Sequence, residues 1–228
     1  MKKRALFIGS IGVLAETSDI QRRAYNTAFT EAGIDWHWDE DTYRELLKDA
    51  GGQKRLASLS DAAGGLLSDF QIKDIHARKT EIACAEVIQG VDLRPGIPET
   101  IEAALSAGVL VGLVTTTFRA NIDAIVKGSN PPLPIQRFSA VLTRMDCDHP
   151  KPSAEIYEVA MQRTGVSAED VLAIEDSAAS VAAARSAGIE TLITPGAFTR
   201  EQDFGAGAEI LASLDPALVV SRLGVDTR

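Results

Sequence analysis

Three polar stretches of this 228-residue chain, each at the end of an apolar run or held by rigid backbone, carry side chains suited to chemistry. Glu175 and Asp176 are adjacent carboxylates that follow Val171 to Ile174. Two such charges beside a buried run are unfavourable unless a cation or solvent receives them. Magnesium is the natural cation, because it takes one or two protein carboxylates and completes its octahedron with water and phosphate oxygens. For this pair alone, an aspartate capping the next helix is an equally good explanation. Thr115, Thr116 and Thr117 follow Val114. Hydroxyls and the free N–H groups of a helix start can hold a phosphate there, although a threonine cap is the commoner use of such a run. Lys151 lies between Pro150 and Pro152, so rigid backbone could present its charge to a phosphate, a solvated surface lysine being the usual alternative. Together the two carboxylates, the hydroxyls and the lysine describe a magnesium and phosphate site.

Such a site needs elements that bring its parts to one place. Ala5 to Ile8, Val109 to Val114, Val141 with Leu142, Val171 to Ile174 and Thr191 to Ile193 are too short for core helices and read as buried parallel strands. Amphipathic helices lie between them. One carries Ile97, Ile101, Ala104 and Leu105 and ends at Gly108; a second carries Ile156, Val159 and Ala160 and ends at Gly165; a third, around Val181 and Ala184, ends at Gly188. Glycine is suited to the left-handed conformation that closes a helix, and each leads directly into an apolar run. This repeated alternation predicts an α/β fold built on a doubly wound parallel sheet. In such sheets ligands bind beyond the carboxyl ends of the strands, where Gly9 to Gly12, Thr115 to Thr117, Lys151 and Glu175-Asp176 fall.

Residues from about Thr17 to Asp92 break the alternation, with helical patterns and no convincing strand. Ala24, Ala28 and Phe29 fall at helical spacing, as do Leu56 and Leu59, while Gly51-Gly52 and Gly64-Gly65 mark loops. The expected organisation is an α/β core of residues 1–16 and 93–228 with an inserted α-helical cap of residues 17–92. The cap contains Trp36, Trp38, Lys54 and Arg55, the tryptophans being better explained as packing residues than as a stacking platform.

Composition narrows the partners. With 23 basic and 32 acidic residues the net charge is −9, which repels nucleic acid and anionic lipid but leaves room for a small phosphorylated ligand in a local cationic cluster. No apolar run reaches the ~20 residues that span a bilayer. The two cysteines, Cys84 and Cys147, are too few for a disulfide framework and too scattered for a zinc site, and a reducing cytoplasm fits them. Lys2-Lys3-Arg4 before the run from Ala5 to Ala15 has the outline of a signal peptide, yet the sheet needs Ala5 to Ile8, so the run reads as a strand.

The chain resembles the haloacid dehalogenase superfamily, and within it the CbbY-like and β-phosphoglucomutase-like phosphatases of sugar phosphates. The resemblance is nearly end to end: GVLAET with QRRAYN after the first strand, GGQKR in the cap, then LRPG, VTTT, KPSAEIY, AIEDS and TPGAFT. It implies that Thr115, with Thr116 beside it, holds the transferring phosphoryl group, that Lys151 neutralises charge, and that Glu175 and Asp176 bind magnesium. It also implies that cap residues Gly51, Gly52, Lys54 and Arg55 select the substrate.

The first motif departs from the family pattern. Where the family has Asp-x-Asp-Gly, with a nucleophilic aspartate and an acid/base aspartate, this chain has Gly9-Ser10-Ile11-Gly12. Gly9 has no nucleophile and removes a magnesium ligand, and Ile11 cannot carry a proton. Ser10 is not expected to replace them, since an intervening residue of an extended segment faces the other way. The family histidine at the cap hinge is Gln21, the lysine usual after the cap glycines is Gln53, and the glycine of EDSxxG is Ser180. These changes predict a catalytically silent homologue that binds a sugar phosphate or similar anion through a weakened magnesium site, as a regulator or as the partner of another protein. The alternatives are a magnesium-dependent hydrolase that has recruited another nucleophile, such as Ser10 or Thr17, and a purely structural role in an oligomer.

Overall fold

The five apolar runs become five strands of one parallel sheet in the computed structural model, which describes residues 3–48, 51–206 and 208–225. The strands are β1 (Ala5–Ile8), β3 (Leu110–Val114), β5 (Ala140–Leu142), β6 (Val171–Glu175) and β7 (Glu190–Ile193), in the order β5-β3-β1-β6-β7. The chain winds outward from β1 to β3 and β5, then crosses back to β6 and β7. The switch point therefore lies beside β1, and its crevice is where ligands bind in open sheets of this kind. Register fixes the level of the site: Ile8 is paired with Leu113 on one side and with Ile174 on the other.

Alternation along β1 feeds two cores. Leu6 and Ile8 belong to a cluster with Ile97 and Ile101 of α5 (Ile97–Ser106) and with Val219 and Leu223 of α9 (Pro216–Leu223). Ala5 and Phe7 belong to a second cluster with Ile156, Tyr157 and Ala160 of α7 (Glu155–Thr164) and with Ala183 and Ala184 of α8 (Ala178–Ser186). All four β1 side chains are fully buried, as expected of a strand covered on both faces. The three glycines expected to end helices have φ of +73° (Gly108), +66° (Gly165) and +76° (Gly188), the left-handed conformation that costs glycine no Cβ clash.

Between β1 and α5 lie α1 (Ser18–Glu31), α2 (Glu40–Leu46), α3 (Gly52–Ala62) and α4 (Asp69–Ile88). Ala24, Ala28 and Phe29 are buried on α1, and Leu56 on α3. These helices share their own apolar cluster, in which Trp38 packs against Tyr25 and Phe29 with ring centroids 4.5 and 4.8 Å away, and Trp36 meets Phe29 edge-on. The tryptophans are thus packing residues. Gly52 does not mark a loop; it opens α3, with Gly51 as the preceding cap.

The expectation of no strand between Thr17 and Asp92 needs correction. Val91–Asp92 forms a two-residue strand, β2, paired in parallel with β4 (Ser129–Asn130). β2 follows α4 after two residues, and β4 follows α6 (Arg119–Gly128) directly. These helices approach so closely that a Cβ on Gly128 would overlap the Val87 carbonyl, and the ladder continues that packing.

Candidate functional site

The crevice at the carboxyl ends of β1, β3 and β6 opens into a cleft of about 410 Å³, roofed by α1, α3 and α4. Its lining includes all but one of the residues singled out from the sequence as site candidates: Gly9, Ser10, Ile11, Gln21, Gly51, Gly52, Gln53, Lys54, Arg55, Thr115, Thr116, Lys151, Glu175, Asp176 and Ser180. The exception is Thr17; its side chain is buried and its hydroxyl has no partner among the described residues.

On the β6 side the two carboxylates are treated differently. Glu175 Oε1 accepts a hydrogen bond from Lys151 Nζ at 2.5 Å and another from the Tyr157 hydroxyl. Lys151 Nζ also reaches the Val114 carbonyl at 3.0 Å and the Tyr157 hydroxyl at 3.3 Å, so its three donors are all engaged within the protein. The pair is 4% and 2% exposed, a buried ion pair with a phenol completing it. Burial, and then the neighbouring Glu175, push the Tyr157 hydroxyl well above the usual tyrosine range, so it stays a donor. Asp176 forms no ion pair with a cation among the described residues. Burial, followed by the charges of Glu175 and Glu16, pushes its carboxyl up to about 8. Its Oδ2 lies beneath Gly12, whose φ of +79° and lack of a Cβ allow that approach.

Position 9 explains where Glu175 has gone. A Cβ built on Gly9 would lie 2.6 Å from Glu175 Oε2 and 2.9 Å from a Val13 methyl, so the glutamate carboxylate occupies the room that a side chain at position 9 would need. Among the described residues, no group of three His, Cys, Asp or Glu side chains is arranged to hold a metal. What faces the cleft is one glutamate oxygen and Asp176.

The first-motif serine points into the site, contrary to expectation. Ser10 Oγ is 2.8 Å from Thr115 Oγ1 and donates to Thr117 Oγ1 at 3.3 Å. Alternation fails because the chain stops being extended there: the N–H groups of Val13 and Leu14 both donate to the Ser10 carbonyl, closing a tight turn. Thr115 Oγ1 also accepts the Thr117 N–H at 3.1 Å. The N–H groups of Ser10, Ile11 and Thr116 donate to no acceptor among the described residues, which leaves a cluster of backbone donors and hydroxyls at the sheet edge.

On the helical side the notable residue is Lys79, which the sequence reading missed. It is buried on α4, donates to Gln21 Oε1 at 2.8 Å, lies over the Tyr25 ring at 4.8 Å, and forms no ion pair with a described carboxylate. Burial lowers its ammonium to about 8. Its position was readable, because Ile72, Ile75, His76, Lys79, Thr80, Ala83 and Val87 fall on one buried stripe of α4 at helical spacing. Gln21, where the family pattern has histidine, gives its amide N–H to Asn121 Oδ1 of α6 at 3.1 Å and so joins three helices. Arg55 donates to the Leu46 carbonyl at 2.7 Å and extends over the Tyr43 ring, while Lys54 is exposed at the rim. Gly52 is required by packing: a Cβ there would collide with the Tyr25 hydroxyl and come 2.6 Å from His76 Nε2.

Two clamps hold the loops of this edge. Glu16 accepts the N–H groups of Ser18 at 3.0 Å and Ala197 at 2.6 Å. Arg94 donates to the Thr194 carbonyl at 2.8 Å, the Thr194 hydroxyl at 3.0 Å and the carbonyls of Pro195 and Gly12. The GVLAET, LRPG and TPGAFT segments thus brace one another.

A doubly wound sheet with hydroxyls, a lysine and an acidic pair at its switch point is the architecture of the haloacid dehalogenase-like hydrolases; that family matches residues 5–188, and the chain belongs to it. Within it the chain is CbbY-like. It is 36% identical over 207 residues to Protein CbbY of Rhodobacter capsulatus, covering 90% of this chain and 91% of that one, and 38% identical over 221 residues to the plasmid-borne Protein CbbY of Cupriavidus necator, covering 94% and 87%. Among solved structures, CbbY of Rhodobacter sphaeroides, an aspartate-to-asparagine variant in complex with xylulose-(1,5)bisphosphate, superposes with a TM-score of 0.86 at 36% identity, covering 92% of this chain and 94% of that one. A β-phosphoglucomutase of Clostridium difficile, at 16% identity, shares the fold with a TM-score of 0.77. No described helix is long and apolar enough to cross a membrane.

Proposed function

We propose that this chain is a CbbY-like protein that binds a phosphorylated sugar and has lost phosphatase chemistry. The observation that carries the reading is at position 9: the place of a nucleophilic side chain is taken by the Glu175 carboxylate, itself tied to Lys151. Ile11 supplies no acid or base at the second position. Ser10 does not restore a nucleophile, since its hydroxyl meets only the hydroxyls of Thr115 and Thr117 and no imidazole or carboxylate to take its proton. Binding groups remain. Residues 1–16 and 93–228 act as the core that holds the phosphate, through Ser10, Thr115 and the N–H groups of Ser10, Ile11 and Thr116, with Lys151 behind them neutralising the charge of Glu175 beside the anion. Residues 17–92 act as the cap, whose Gln21, Gly51, Gly52, Lys54, Arg55 and Lys79 meet the rest of the ligand. The complex of the Rhodobacter sphaeroides CbbY with xylulose-(1,5)bisphosphate supports a sugar phosphate as the class of ligand, and a reducing cytoplasm fits such a metabolite.

Thermal unfolding in the presence of a panel of sugar phosphates tests the reading. At ligand concentrations about a hundredfold above Kd, stabilisation by about 2.7 kcal/mol is expected, which raises the midpoint of a domain this size by roughly 5–10 °C. A panel in which no sugar phosphate moves the midpoint would overturn it.

The affinity should also depend on pH in a defined direction. Below about 8 Lys79 is charged and Asp176 is neutral, and both conditions favour an anion. As pH rises through about 8 the lysine loses its charge and the aspartate gains one, so affinity falls. A phosphomonoester becomes a dianion above about pH 6, so binding should be tightest between that value and about 8. Calorimetric titrations near neutrality and at about pH 9 check this, and Lys79→Gln should weaken binding near neutrality and flatten the loss. Equal affinity at both values would refute it.

A further inference from the structure

We infer that this site takes its phosphate without a divalent cation, because the glycine at position 9 and the pairing of Glu175 with Lys151 remove or neutralise carboxylate charge that a metal would otherwise balance. The inference rests on the sugar-phosphate reading above and concerns how that same site works. Magnesium does not fit the donor set. Of the two carboxylates lining the cleft, Asp176 alone has no ion pair with a described cation, while Glu175 has one oxygen held by Lys151 and Tyr157 and its other oxygen turned into the space above Gly9. A magnesium drawing on the outer Glu175 oxygen would set a second cation against an ion pair that is 4% and 2% exposed, competing with Lys151 for the same carboxylate, and would find Asp176 as its one unshared carboxylate.

Lys151 and Glu175 cancel, so at the sheet edge the anion is met by neutral donors, the hydroxyls of Ser10, Thr115 and Thr117 and the N–H groups of Ser10, Ile11 and Thr116 that have no acceptor among the described residues, while Lys79 supplies positive charge from the cap side. Neutral hydrogen-bond donors bind a phosphate without a metal to bridge them, as backbone nests do. A residue with a carboxylate at position 9 would add a negative charge to this edge and evict Glu175 from its place, creating the need for a cation that the glycine removes.

Calorimetric titration of the full chain with inorganic phosphate and with a sugar phosphate, in chelator and again in millimolar magnesium, tests this. The same Kd is expected in both buffers, within about twofold, and Thr115→Val should weaken binding about tenfold or more in each. Manganese, followed by its paramagnetic effect on water protons, should show no site in the phosphate-loaded protein, whereas the Gly9→Asp, Ile11→Asp double variant should acquire one. Binding that appears only with magnesium, or tightens about tenfold with it, overturns the inference while leaving the sugar-phosphate reading intact. Absence of binding in both buffers overturns the two together.

Discussion

Release of phosphate from sugar phosphates by the unmodified protein is expected to be on the order of 10⁴- to 10⁶-fold slower than by a relative that keeps both first-motif aspartates, the range by which deletion of a covalent catalytic unit lowers turnover. The Gly9→Asp, Ile11→Asp double variant is expected to recover magnesium-dependent release by at least on the order of 10²-fold, the lower end of what a positioned acid or base contributes. Full recovery is not expected. An aspartate at position 9 must displace Glu175 Oε2 and a Val13 methyl, and Glu175 can withdraw only by loosening its contacts with Lys151 and Tyr157. Position 11 is less constrained, because Ile11 is only half-buried and lines the cleft. Steady-state phosphate release by the unmodified chain, the double variant and Lys151→Met, measured side by side, decides the matter. Turnover by the unmodified chain far above that of Lys151→Met would require a nucleophile other than residue 9 and end the reading of a silent homologue. A double variant that folds and remains inactive would mean that the cleft has diverged beyond its first motif.

Lys151→Met is expected to cost about 3–5 kcal/mol of folding stability, the penalty for leaving one member of a buried ion pair without its partner. For a domain of this size that corresponds to a fall of roughly 6–20 °C in the thermal midpoint. The loss follows from Glu175, which would keep only the Tyr157 hydroxyl for its inner oxygen. Adding Glu175→Gln, or replacing the glutamate by leucine, should therefore restore most of the lost stability, since removing both charges from a buried pair is often close to neutral. Denaturant melts of the two single variants and the double variant provide the measurement. If Lys151→Met alone unfolds with the unmodified midpoint, the pair is not a structural element and Lys151 is free to serve a ligand directly.

Much of the fold could be read in advance because it rests on local signals. Short apolar runs marked β1, β3, β5, β6 and β7, and Gly108, Gly165 and Gly188 marked helix ends through a backbone conformation that favours glycine. The ladder of Val91–Asp92 with Ser129–Asn130 could not be read, because two-residue strands carry no periodicity and this pair exists only through the docking of α4 against α6. The site was legible as a set of residues, since the strand ends collect Thr115, Lys151, Glu175 and Asp176 into one cleft. Their pairing was not. That Lys151 bonds Glu175, 24 residues away, depends on the register of β6 against β1 and on the missing side chain at Gly9. The turn after β1 similarly decided the direction of Ser10, where strand alternation gave the opposite answer. Lys79 was hidden by its chemistry, since a lysine in a charged helix is ordinarily solvated, although the buried stripe of α4 held the signal.

Gln21 bonds Asn121 of α6 and receives Lys79 of α4 while belonging to α1 itself, so one buried side chain in the wall of the cleft fastens the three helices together. A ligand that enters by parting these helices must wait for the fastening to open. Association would then be timed by the protein and not by encounter: in stopped-flow mixing, the observed rate should rise with ligand concentration and level off at the opening rate, and Gln21→Ala should raise the plateau.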